Sequence, residues 1–198
     1  MTLDDLIIEL EPPPNRRKKC DGETERHLTE AAVMLAYGLH LLATLPELAS
    51  VELHPDGEHG KRFPIKKWLS DQGFALMKAQ GTTNYCGTYV SGERRILVTA
   101  KSGQGDVVAS TPTESIIAEC KGGIVNTRHP GQVSRLRKGL CEAVGLLMTK
   151  ARSGRQIAVV PYTDVTSRRA RIMATRAKEA GIEISLVNEH GEVIDIKP

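Results

Sequence analysis

Two acids and a lysine stand out in this chain: Asp106, and the pair Glu119 and Lys121 flanking Cys120. Side chains alternate along a β-strand, so Glu119 and Lys121 point to one side of a sheet. Thr111-Pro112-Thr113 reads as a turn between two β-type runs, Asp106-Val107-Val108-Ala109 and Ser115-Ile116-Ile117-Ala118-Glu119-Cys120-Lys121. A loop over residues 111–114 pairs Ser110 with Ser115, and the same register sets Asp106 opposite Glu119. Opposed residues hold their Cβ atoms roughly 4.5–5.5 Å apart, close enough for two carboxylates to share one ion. Like charges that close call for a cation between them, and oxygen donors with open water positions suit Mg²⁺ or Mn²⁺. Lys121 beside such an ion would orient or deprotonate a water, or neutralise charge growing on a phosphate. Charges on a strand as apolar as Ile116-Ile117-Ala118 also need a reason, because that run belongs in the middle of a sheet.

The elements that must hold these residues follow from periodicity and turn chemistry. Residues 1–11 read as a short helix with Thr2 as N-cap and Asp4 and Asp5 in its first turn. Pro12-Pro13-Pro14 ends it, and Asn15-Arg16-Arg17-Lys18-Lys19 follows as a basic linker. Residues 1–21 are therefore expected to be an arm, mobile or docked on a partner, and residues 22–198 a single domain. A helix is expected over 23–45, with Leu28, Ala32, Leu35, Leu39 and Leu42 on one face and Pro46 closing it. A strand at 51–53, a short helix at 65–72 and a β-rich run at 95–100 precede the Asp106 hairpin. A helix over 131–152, a buried strand over 156–161, a helix over 165–180 and strands at 182–187 and 193–196 complete the order. Thr166, Ala170, Met173, Ala177 and Ala180 share the buried face of the later helix, which Gly181 stops.

Composition limits the function classes. The 198 residues are 40% hydrophobic and 26% charged with a net charge of +3, which describes a globular chain rather than a disordered one. No apolar run approaches the roughly 20 residues of a membrane span, and the Met-Thr-Leu-Asp-Asp opening lacks a secretory or transit pattern. A cytoplasmic protein is expected. Cys20, Cys86, Cys120 and Cys141 are widely spaced, so reduced thiols are expected rather than a disulfide framework or a zinc cluster. Residues 101–198 carry 15 Lys/Arg against 10 Asp/Glu, whereas residues 1–100 carry 12 against 14. That bias suits a polyanion such as nucleic acid. Arg128, Arg135 and Lys138 follow the acidic strand most closely and are the first choices for phosphate contact. Arg168, Arg171, Thr175 and Lys178 form a second stripe on the face opposite the Ala/Met core, where a solvated surface explains them equally well. Only Trp 1, Tyr 4 and Phe 2 supply aromatic rings, too few for a base-stacking platform and more in keeping with backbone or duplex binding. His54-Pro55-Asp56-Gly57-Glu58-His59 reads as a solvated turn, and Gly103-Gln104-Gly105 as a turn rather than a phosphate loop.

Gly105-Asp106 and Ile117-Ala118-Glu119-Cys120-Lys121, in this order of elements, resemble the PD-(D/E)XK nucleases of the restriction-endonuclease-like superfamily. The likeness spans roughly residues 23 to 187. It departs where Gly105 stands in place of the motif's Pro, and where Leu136 follows Gln132 instead of the Tyr some members carry. The resemblance implies an α/β fold with an αβββαβ core, its central mixed sheet flanked by helices. It implies Asp106, Glu119 and the backbone carbonyl of Cys120 as ligands of Mg²⁺ (or Mn²⁺), and Lys121 as the catalytic lysine. An acidic residue from the first helix often joins such a site, and both Glu25 and Glu30 are available. The implied activity is metal-dependent DNA endonuclease, often working as a homodimer with one site per strand. The alternative is a catalytically silent nucleic-acid-binding module of the same fold.

Overall fold

The computed structural model describes all residues except 1, 2, 4, 18–23, 57, 59–61, 101–103, 152 and 153. Among the described residues the chain is an α/β structure built on a large mixed sheet, with a smaller antiparallel sheet beside it. The small sheet joins β1 (Ile7–Leu10), β2 (Glu25–Leu28) and β9 (Gly123–Ile124). The large sheet is made of β3 (Ser50–Leu53), β4 (Ala75–Ala79), β5 (Gly87–Ser91), β6 (Arg94–Val98), β7 (Val107–Ser110), β8 (Ser115–Cys120), β10 (Arg155–Pro161), β11 (Ile182–Val187) and β12 (Val193–Asp195). Their spatial order is β12-β11-β10-β8-β7-β3-β6-β5-β4. The β8–β10, β10–β11 and β3–β6 pairs are parallel, and the other neighbours are antiparallel.

Two helical layers cover the central strands. On one face lies α1 (Glu30–Thr44), capped by the Thr29 hydroxyl, which accepts from the Ala32 N–H at 3.2 Å. Its apolar residues pack with Ile116, Ala118 and Cys120 of β8 and with Ile157 and Val159 of β10. Gly38 lets this helix close on β3, since a Cβ there would stand 3.0 Å from Leu53 Cδ2. On the other face lie α3 (Pro130–Met148) and α4 (Asp164–Glu179). Leu140, Ala143 and Leu147 of the first and Ala170 and Ala177 of the second meet Ile117, Ala158 and Val160 from the sheet. A further helix, α2 (Ile65–Asp71), packs near β4 beyond β3. Alternation along β8 therefore assigns Glu119 to the α3 side and Cys120 to the α1 side. No helix among the described residues is long and apolar enough to cross a membrane.

Several expectations change. Residues 7–10 form a strand, not the end of a helix, and Thr2 and Asp4 lie outside the described residues. The expected helix over 23–45 begins only at Glu30, because Glu25–Leu28 is the strand that pairs with β1. Leu28 belongs to that strand, so the apolar spacing runs from a strand into a helix without a break. The N-terminal segment is docked on its own chain: Leu3 and Leu6 are buried, and the Leu3 N–H donates to His190 O. Strands β4 and β5 are not evident from the sequence. In β4 four of the five residues are exposed, Met77 among them, which blurs the period-two pattern that marks a half-buried strand. Cys86 and Cys120 are buried free thiols, Cys141 is exposed, and Cys20 lies outside the described residues.

Candidate active site

The hairpin that carries the acids has the anticipated register. Ser110 pairs with Ser115 and Val107 with Ala118. One step further the chain leaves the ladder, because the Asp106 N–H also goes to Ala118 O, at 2.9 Å. This shift lets the Asp106 carboxylate fold onto β8, where Oδ2 accepts the Cys120 N–H at 2.7 Å. Gly105 makes the approach feasible: a Cβ there would lie 2.7 Å from Ile117 Cγ2 and 2.9 Å from Ala118 O. Proline carries a Cβ and could not take this place.

Glu119, 6% exposed, points to the α3 layer and ion-pairs with Lys150, just past the end of that helix. The same Lys150 ammonium donates to Gln104 O, so it fastens Glu119 to the loop leading into Asp106. Lys121 lies under α3, where Gly139 leaves room; a Cβ there would be 3.3 Å from Lys121 Cβ. Its Nζ sits 3.3 Å from Glu142 Oε1 of α3 and 3.7 Å from Glu30 Oε2 at the start of α1. The two acids offered by the sequence lie in different surroundings. Glu30 joins the cluster, while Glu25 is occupied elsewhere, accepting from Arg16 Nε at 2.6 Å and Nη2 at 2.9 Å and lying 3.2 Å from His27 Nε2.

Burial sets the protonation of this cluster. Burial raises Asp106 to about 7, and the charges of Glu119 and Glu30 add to it against the Cys120 N–H bond and Lys121. Glu30 is likewise raised to about 7 by burial, with Asp56, Glu142 and Glu119 adding and Lys121 opposing. Lys121 moves the other way from what burial alone dictates: desolvation lowers it, yet Glu30, Asp106 and Glu142 together hold it above its ordinary value. Burial also pushes the Cys120 thiol well up, leaving its backbone as the part that faces the acids. Perturbed carboxylates grouped around a charged lysine are what a site for a developing anion or a bound cation looks like.

The loop after β3 contributes more than a solvated turn. The His54 N–H donates to Asp106 O at 2.9 Å, its side chain is nearly buried, and Asp56 is close enough to act on Glu30. His59 and Gly57 of that segment, like Gly103 of the other turn, lie outside the described residues. Arg128 and Lys138 are exposed, and Arg135 lines a cavity next to Glu30 and Gly122. Arg135, Lys138 and Glu142 follow at i, i+3 and i+7 on α3, one stripe ending at Lys121. Arg168, Arg171, Thr175 and Lys178 are exposed on α4, away from the cluster. Glu142 and Lys150 are the site residues that the sequence does not signal. Each comes from a helical segment far along the chain, and no local spacing ties it to the hairpin.

Among the described residues no three Asp, Glu, His or Cys side chains converge on a single ion-sized point. The hard oxygen donors of the cluster are the Asp106 and Glu119 carboxylates and the Glu30 carboxylate across Lys121. Comparison of the chain with protein-family models, with curated proteins and with solved structures returns no match.

Proposed function

We propose that this protein is a Mg²⁺- or Mn²⁺-dependent DNA endonuclease whose site is Asp106, Glu119 and Lys121. The single observation that carries the reading is the clustering of Asp106, Glu30 and Glu142 around a half-buried, charged Lys121 at the end of a central strand, with Glu119 acting on Asp106 from the same strand. The elements α1, β3, β7, β8, α3 and β10 support it, following the αβββαβ order of the PD-(D/E)XK resemblance once α2 and β4–β6 are read as an insertion after β3 and β9 as one after β8. The donors fit the implied ion. They are carboxylate and carbonyl oxygens, and two of the carboxylates are held near 7, the strain that a divalent cation would relieve. Asp106, Glu119 and the Cys120 carbonyl would hold it, with Glu119 turning from Lys150. A bound divalent ion would supply an acidified water and a counter-charge for the phosphate.

The chain's own residues divide the remaining work. The carboxylates around Lys121 keep its proton in place at neutral pH, so Lys121 stabilises charge on the phosphate and is not the general base. Glu30 and Glu142 fix the ammonium between two helices and so aim it. The Cys120 N–H fixes the Asp106 carboxylate. Arg135 and Lys138 extend the positive stripe on α3 toward a phosphate backbone.

The test is nicking of supercoiled plasmid with Mg²⁺ or Mn²⁺, by wild type, Asp106→Ala and Lys121→Ala. Metal-dependent nicking lost in both variants is the expected result. Nicking that survives both substitutions would refute this site. One observation favours the alternative of a silent binding module: Glu119 is engaged by Lys150, which also holds Gln104, rather than left open. That reading predicts DNA binding unaffected by EDTA and no cleavage of plasmid, junction or single-stranded substrates.

A further inference from the structure

A cavity of about 610 Å³ lies against the cluster, between β1, β2, the start of α1 and the first turns of α3. Glu30 and Gly122, the neighbours of Lys121 in space and in sequence, belong to its wall. Its volume is that of a site for one small molecule, and a duplex does not enter such a space. Its chemistry is two-sided. Ile8, Leu28 and Leu136 give it aliphatic surface, while Arg62 and Arg135 bring guanidinium groups that pair with no carboxylate among the described residues. Gln132 supplies the telling feature. It is 8% exposed, lines the cavity, and its side-chain amide has no hydrogen-bond partner among the described residues. Its amide atoms open onto the cavity and have donors and an acceptor to offer a ligand.

We propose that this cavity takes one unstacked nucleotide of a nucleic-acid strand, adjacent to the phosphodiester that Lys121 faces. The inference rests on the nucleic-acid reading of the site and deepens it by naming the form of substrate. Arg62 and Arg135 hold the phosphate, the aliphatic wall covers the sugar and base, and the Gln132 amide bonds to a polar edge. A base inside a duplex must leave its stack to enter, at a cost of about a few kcal/mol, whereas a single strand has no stack to break. The protein therefore prefers single-stranded or frayed nucleic acid to blunt duplex.

The experiment measures binding of a short fluorescent DNA strand, single or annealed as a blunt duplex, by anisotropy in EDTA. The single strand is expected to bind about tenfold or more tightly than the duplex. The double variant Arg62→Ala/Arg135→Ala should lower the slope of log K against log salt by about 0.7, the value for one phosphate charge no longer neutralised. Gln132→Leu should weaken binding about 2- to 10-fold and leave that slope unchanged. Arg94→Ala, exposed on β6 away from the cavity, should change neither. Equal binding of duplex, an unchanged salt slope in the double variant, or a free deoxynucleotide that binds as tightly as the strand would each overturn the proposal. Because EDTA removes any hydrolysis, these results stand apart from plasmid nicking. Strand preference without nicking sinks the endonuclease reading alone, and nicking without strand preference sinks the cavity assignment alone.

Discussion

Burial disfavours the charged form of Lys121, and three carboxylates favour it; the carboxylates prevail. Asp106 and Glu30 experience the reverse, with burial and mutual repulsion outweighing the one lysine between them. These opposed shifts have a measurable consequence. A carboxylate whose folded value stands near 7 binds its proton in the folded chain while the unfolded chain has released it. The folded state therefore loses stability as pH rises from the ordinary carboxylate value, 4.5 for Glu30, to about 7. The metal-free protein should be more stable at pH 5 than at pH 7.5, by an amount on the order of 2–3 kcal/mol for Glu30. Urea denaturation at the two pH values, with and without Glu30→Gln, checks this. The variant should lose most of the difference, and an equal pH dependence in both proteins would contradict the assignment. Lys150 lends itself to a second test. Lys150→Met leaves the buried Glu119 charge without its partner and should cost about 3 kcal/mol in EDTA. Added Mg²⁺ should restore more stability to that variant than to wild type, read as the shift in melting temperature.

At the level of elements, an ion pair from the linker braces the strand pair β1–β2. Arg16 reaches from the N-terminal segment to Glu25, a carboxylate almost fully buried on β2. Burial alone would raise Glu25, but its bonds to Arg16 and His27 hold it below its ordinary 4.5. A depressed carboxylate contributes stability that is present above pH 4.5 and lost as pH falls through its folded value. Arg16→Met should destabilise the protein by about 3 kcal/mol at pH 7, with the difference shrinking in acid. Hydrogen exchange should show the Ile7–Leu10 amides losing protection first. This element is also the least legible in the sequence. The pairing of β1 with β2 spans the triple proline and the basic run, and no turn signal specifies so distant a partner. The β7–β8 hairpin is legible to the residue, because Thr111-Pro112-Thr113 sets a local turn and the ladder then has one register. What the turn does not convey is the departure from the ladder at Asp106, which the missing Cβ of Gly105 permits. Residues 23–45 mislead for a physical reason: Leu28 continues the spacing of α1 while lying in β2, and Thr29 between them is the cap that separates the two. Glu142 and Lys150 are invisible in the sequence because tertiary packing alone brings α3 to β8.

Taken as a whole molecule, the site lies where both helical layers reach the same end of β8. Glu30 comes from the α1 side, Glu142 and Lys150 from the α3 side, and Asp106 and Glu119 from the sheet between them. A ligand bound there would bridge all three layers, so its binding energy would appear as global stability. Under the proposed function, Mg²⁺ should raise the melting temperature at pH 7.5 relative to KCl of matched ionic strength. Saturation at about 100 times the dissociation constant corresponds to roughly 2.7 kcal/mol. Asp106→Asn separates this effect from simple screening. The asparagine amide oxygen can still accept the Cys120 N–H, and the substitution removes a carboxylate that burial and two neighbours disfavour. The variant should therefore melt higher than wild type without metal and gain little when Mg²⁺ is added. The opposite pattern, a variant that melts lower without metal and gains as much as wild type from Mg²⁺, would mean that Asp106 braces the hairpin and binds no ion. Removing metal from wild type should reverse the gain in full, since the apolar layers on either side of the sheet are complete without it.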